Sequence, residues 1–346
     1  PPLDTPHRGT PRGASPFACA RVRRCGTLDG VTSMSFAPMA PFASLPVPRG
    51  VECVSIPSPC GPLSAYHGPP APASSATAAP APPARGPRPG AAGADRPKVL
   101  LVPGFTGSKE DFRLPISDLV DRGFEVLAYS QRGQADSAAP TGAGAYGLGA
   151  FAGDVTAIAS AWGAGQRVHL LGHSFGGVVA RAAAIARPGL FASLTLFSSG
   201  NTAKGADRPA PDPVPAGPAG RERVLAAFFP GTDFTRPGLG WEEFIRVRAL
   251  ATSTGNLMGI RAILADQRPR SAELRATGLP IHVVYGAEDT AWPVSDYRRE
   301  AREVGAVETP IPGAQHSAQT QRPTVWADAV SRFWLAVDSG HLVWQM

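Results

Sequence analysis

A chain of 346 residues, 43% hydrophobic and 17% charged, can build one large α/β domain or two ordinary ones, while Gly 39 and Pro 38 exceed normal usage and imply long stretches outside any core. The net charge of +6 is concentrated at the front: residues 1–97 hold nine Arg and four acids, leaving 24 basic against 23 acidic residues, and no basic-aromatic motif accompanies the excess, which excludes a nucleic-acid partner. No apolar run approaches 18 residues and no charged n-region leads into an uninterrupted apolar h-region, so no membrane span is expected and cytoplasmic residence is the default.

Residues 1–45 show neither a 3.6 nor a 2.0 apolar period and are expected to be disordered and dispensable; Met34 is a candidate start, with the Pro/Arg-rich stretch before it a disordered or over-extended leader. Val51–Ile56 and Leu63–His67 read as an antiparallel hairpin across a Pro/Gly turn. Residues 68–95, almost entirely Pro, Ala, Gly and Ser, cannot bury enough apolar surface to offset ordering entropy and read as a flexible insertion.

Lys98–Val102 is then a continuous apolar run, the mark of a strand covered on both faces. Strands at Phe124–Tyr129, Val168–Leu171, Leu194–Phe197 and Ile281–Tyr285 alternate with helices over 148–162, 175–186 and 323–337. That alternation predicts an α/β fold with a doubly wound, mostly parallel sheet, its core split into residues 46–200 and 279–338 and followed by a tail over 339–346. Residues 201–278 break the rhythm with a Pro-rich loop and three amphipathic segments near 220–229, 241–251 and 256–266, expected to form a small helical lid.

All four cysteines (Cys19, Cys25, Cys53, Cys60) precede residue 61, away from the later motifs, which argues against a cysteine nucleophile. Cys53 and Cys60 are read as free thiols, with a disulfide across the hairpin as the alternative.

Gly172-His173-Ser174-Phe175-Gly176 is a G-x-S-x-G sequence between a buried strand and a helix. So tight a strand-to-helix turn strains the serine backbone and demands small flanking residues, lifting the hydroxyl above the sheet over a helix N-terminus. Ser174 is therefore the candidate nucleophile, and it needs a base. Of seven histidines, His7, His67 and His341 lie in tails or the hairpin, His169 and His282 sit inside apolar strands, and His173 should point away from its neighbour. His316 remains, in a loop after the last strand. The orienting acid should come from a loop at the same edge, and Asp289 is the choice over Glu288; Asp207, Asp212, Asp233 and Asp266 fall in the insertion. The backbone N–H groups of Phe175 and Phe105 are the candidate oxyanion donors. Phe228, Phe229, Trp241, Phe244, Ile245, Leu257, Met258 and Ile260, with Trp292, are candidate lining for an apolar pocket under the lid. No metal or cofactor is expected.

These motifs, in this order, resemble those of the α/β-hydrolase superfamily over roughly residues 50–338. Pro103-Gly104-Phe105 resembles its His-Gly oxyanion segment, Gln131–Ser137 its R-G-x-G-x-S loop, Gly172–Gly177 its nucleophile elbow, Gly286–Asp289 its acid loop and Pro312–Ser317 its histidine loop. The departures are Pro103 for a usual histidine, Ala135 for a glycine and Ser130 for an aspartate. Serine at 174 separates the chain from the dehalogenase and epoxide-hydrolase branches, which attack through a carboxylate. The stretch Gly104–Phe112 is similar to carboxylesterases and monoacylglycerol-lipase-like members, which implies a serine hydrolase acting on a small-molecule carboxylic ester. Thioesterase, lactonase and cofactor-free perhydrolase activities use the same triad, and a non-catalytic binding protein on the same fold is the alternative of another class.

Overall fold

The computed structural model describes residues 34–43, 45–69, 96–142, 144–203 and 240–341, with scattered residues between 219 and 233. Its first elements are three antiparallel strands: β1 (Ala37–Pro38), β2 (Glu52–Ile56) and β3 (Leu63–Gly68). The β2–β3 hairpin is in the register that pairs Val54 with Ala65. The expected disorder over 1–45 does not extend through this region. Ala37 and Pro38 pair with Ser55 and Val54, Met34 and Leu45 are buried, and Phe36 stacks on His67. A chain so rich in Pro has no apolar period because it is anchored by single side chains. Residues 1–33, most of the 68–95 insertion and 342–346 lie outside the described residues.

The apolar runs form the centre. β4 (Lys98–Val102), α1 (Ile116–Asp121), β5 (Glu125–Tyr129), α2 (Leu148–Gly163), β6 (Val168–His173), α3 (Phe175–Ala186) and β7 (Phe191–Phe197) follow in order. After residue 203 come α4 (Trp241–Ala251), α5 (Thr254–Ala265), α6 (Ser271–Arg275), β8 (Ile281–Gly286), α7 (Val294–Val304), β9 (Val307–Ile311), α8 (Ala318–Gln321) and α9 (Pro323–Asp338). The nine strands make one sheet ordered β1-β2-β3-β5-β4-β6-β7-β8-β9, parallel from β5 through β9.

Alternation of side chains divides the core into two layers. Leu100, Val102, Leu170, Leu196 and Val283 face α2, α3 and α7, whereas Val99, Leu101, Leu171, Phe197 and Val284 pack with Phe124, Trp326, Phe333 and Trp334. The strand order reverses at β4, which lies between β5 and β6. A crevice opens beyond the carboxyl ends of strands at such a reversal, and the residues after β4 and β6 border it. Cys53 and Cys60 are free thiols. Among the described residues, no helix is long and apolar enough to cross a membrane and no cluster of potential metal ligands occurs.

Candidate active site

The turn from β6 into α3 holds Ser174 at φ 54°, ψ −120°, a conformation that costs a non-glycine residue about 1–3 kcal/mol. Close packing imposes it: a Cβ on Gly176 would lie 2.3 Å from the Val102 carbonyl oxygen, so only glycine lets α3 begin there. The turn is pinned by the Ser174 N–H donating to the Phe197 carbonyl at 2.9 Å.

The structure brings the three candidate reacting residues together. His316 Nε2 lies 2.9 Å from Ser174 Oγ, and its Nδ1 lies 3.0 and 3.2 Å from the two Asp289 oxygens. Asp289 is buried, and burial alone would raise its pKa; the contact with His316, the Ala291 N–H and the Tyr297 hydroxyl outweigh that and hold it below the usual carboxylate value. The Ala291 N–H donates to Oδ1 and the Tyr297 hydroxyl to Oδ2, both at 2.8 Å. Glu288 is exposed.

His173, expected to point away from its neighbour, contacts the histidine loop. Its Nε2 lies 2.9 Å from the His316 carbonyl oxygen, so that nitrogen is the donor. Burial, then the proximity of His316, lowers its pKa to about 4 and keeps the ring neutral. Sequence reasoning also missed Tyr297, which reaches Asp289 because α7 returns it eight residues later; no helix was expected there.

Phe175 is the first residue of α3, and Phe105 follows Gly104 in the loop after β4. A Cβ on Gly104 would sit 3.0 Å from that of Ser174, so the Gly104–Phe105 peptide lies against the nucleophile. Behind it stands a buried charged network on the Lys109–Phe112 turn. Lys109 Nζ lies 2.7 Å from Glu110 and 3.1 Å from Asp136, and Asp111 accepts from Arg248 of α4 at 2.5 Å.

The candidate pocket residues divide. Leu257 is buried against Phe105, and Trp292 is buried with its ring 6.0 Å from that of His316. Ile260 packs into the main core. Trp241 and Phe244 do not join them: with Ile245 and Ala249 they form the apolar stripe of α4, covered by Phe42 and Leu45. The segment read as disordered supplies that cover, so the stripe packs α4 onto the body. Met258 is 40% exposed, and Phe228 and Phe229 lie outside the described residues. The junction of α4 and α5 is bonded to the 131–137 loop: Ser253 N–H donates to Gly133 O at 2.8 Å and Asn256 Nδ2 to Arg132 O at 2.8 Å.

The family profile of the alpha/beta hydrolases matches residues 99–329. The chain belongs to the alpha/beta hydrolase family. A protein of Variovorax paradoxus named as a carbamate hydrolase, RutD, is 39% identical over 106 residues, a match covering 31% of this chain and 39% of that relative's length. Among solved structures, an enol-lactonase from Burkholderia xenovorans superposes with a TM-score of 0.60 at 21% identity, over 70% of this chain and 92% of its own. A thermophilic esterase from Thermogutta terrifontis does so with a TM-score of 0.58 at 20% identity, over 83% and 99%.

Proposed function

We propose that the chain is a serine hydrolase that cleaves a carboxylic ester through an acyl-enzyme. The observation that carries this reading is the relay Ser174 Oγ–His316 Nε2, His316 Nδ1–Asp289 at 2.9 and 3.0 Å, set above a strained strand-to-helix turn. His316 takes the Ser174 proton as Oγ bonds to the ester carbonyl carbon. The carbonyl π pair moves onto oxygen, where the N–H groups of Phe105 and Phe175 receive it. Collapse expels the alcohol, protonated by the imidazolium, and water attacks the acyl-enzyme by the same steps in reverse roles. Asp289 holds the imidazole in its working tautomer and stabilises the cation. Leu257, Phe105 and Trp292 supply the apolar wall.

The carbamate hydrolase match favours a second reading, in which the scissile bond is C–N; the same relay serves if His316 protonates a leaving amine. A fluorophosphonate probe on wild type and Ser174→Ala, followed by a panel of p-nitrophenyl esters of two to twelve carbons, thioesters, lactones, carbamates and amides, tests both. Labelling confined to wild type and kcat/KM rising with acyl length support the ester reading. Labelling that persists in Ser174→Ala overturns the nucleophile, and the highest kcat/KM on carbamates or amides overturns the ester.

A further inference from the structure

The loop Gln131–Ser137 is where two side-chain amides reach the oxyanion segment. Gln134 is fully buried, and its Nε2 donates to the Gly104 carbonyl at 2.8 Å. Its Oε1 accepts the Gln131 N–H at 2.9 Å, which fixes which end of the amide is the donor. Gln131, equally buried, donates from Nε2 to the Pro103 carbonyl at 2.8 Å. Two consecutive carbonyls are therefore held from one side.

A peptide group is planar and trans, so the carbonyl of residue 104 and the N–H of residue 105 point in opposite directions along one rigid unit. A donor fixed on the carbonyl dictates where the N–H points. Gly104 has no Cβ to restrain rotation, and its carbonyl also accepts the Gly107 N–H at 3.2 Å, so Gln134 makes the shorter of the two hydrogen bonds that set its orientation. A hydrogen bond to the carbonyl also polarises the amide and strengthens its N–H as a donor. We propose that Gln134 is a positioning residue for the oxyanion donor, aiming the Phe105 N–H by clamping the Gly104 carbonyl, with Gln131 bracing the preceding peptide. The inference rests on the hydrolase reading given above. A group that acts only on the developing oxyanion changes kcat with little effect on ground-state binding.

The test compares Gln134→Ala and Gln134→Met with wild type, using Ser137→Ala as a control that removes a buried hydrogen bond of the same loop, from Ser137 Oγ to Ser130 O at 2.7 Å. Three readouts are taken: kcat and KM on the best ester, Tm, and Ki for an alkyl trifluoromethyl ketone. In that adduct Ser174 Oγ bonds to the ketone carbon, its proton passes to His316 and the carbonyl oxygen becomes an oxyanion. Both Gln134 variants are expected to lose about 10–10²-fold in kcat with KM within about twofold, and Ki should weaken in proportion to kcat/KM. Gln134→Met should recover most of the Tm lost in Gln134→Ala without recovering kcat, and Ser137→Ala should lose Tm but keep kcat. If Gln134→Met restores kcat, or if kcat falls while Ki is unchanged, the amide acts by packing alone and the assignment is overturned. Absence of fluorophosphonate labelling at Ser174 in wild type overturns the hydrolase reading and this inference with it, whereas a labelled, active wild type with fully active Gln134 variants overturns only the inference.

Discussion

Asp289 receives three donors on two oxygens: His316 Nδ1, the Ala291 N–H and the Tyr297 hydroxyl. An asparagine there presents an N–H₂ group to the histidine and favours the wrong tautomer, so Asp289→Asn should cost about 10²–10⁴-fold in kcat with little change in KM. Glu288, exposed beside it, has no such donors, and Glu288→Gln should stay within about threefold. Tyr297→Phe removes one donor and should cost about 1–2 kcal/mol of stability and a smaller factor in rate. Steady-state kinetics on the three variants check the ranking, and a crippled Glu288→Gln beside a mild Asp289→Asn would reverse the assignment. The positions of Ser174, Asp289 and His316 were legible because each follows a strand closely and the sheet edge is fixed by strand order. The contacts of Tyr297, His173 and the two glutamines were not, since each is made only after chain elements meet.

Elements were legible where burial is two-sided. β4, β6 and β8 are buried and mostly apolar, broken only by Lys98 at the start of β4 and by histidines and a glycine in β6 and β8, and the helix expected over 175–186 matches α3 residue for residue. β9, at the sheet edge, carries Glu308, Thr309 and Pro310 and is largely exposed, so its sequence shows no apolar run. The stripe Trp241, Phe244, Ile245, Ala249 was visible on α4, but what covers it was not, because Phe42 and Leu45 stand in an aperiodic segment. A shortened chain lacking residues 34–45 uncovers that stripe and loses the buried Met34 and Leu45, each contributing about 1.5–3 kcal/mol. Its urea midpoint should fall clearly below that of a chain beginning at Met34. Equal midpoints would mean that the N-terminal cover contributes nothing.

At the scale of the whole molecule, the layer under α9 contains histidines that folding keeps uncharged. The His282 ring packs tilted against Phe333, and burial lowers its pKa to about 3; His173 stacks on Phe197, with a pKa of about 4. Both values lie below the unfolded histidine value of about 6.5, so between these limits the unfolded chain binds more protons than the folded one. Stability is therefore full above pH about 6.5 and declines as pH falls towards 4, by several kcal/mol, a large part of the 5–15 kcal/mol typical of a domain. Glu300 and Asp154, whose pKa values burial raises, take up protons in the folded state first and offset part of the loss at the acid end of the window. Urea unfolding at intervals from pH 7.5 to 4 should show the decline beginning near pH 6.5, well above the range in which surface carboxylates titrate. His282→Leu removes one of the two groups and should flatten the slope by roughly half, whatever it does to stability at pH 7.5. A flat profile from pH 7 to 5 in the wild type would overturn this, showing that the two rings take up protons in the folded protein as readily as in the unfolded chain.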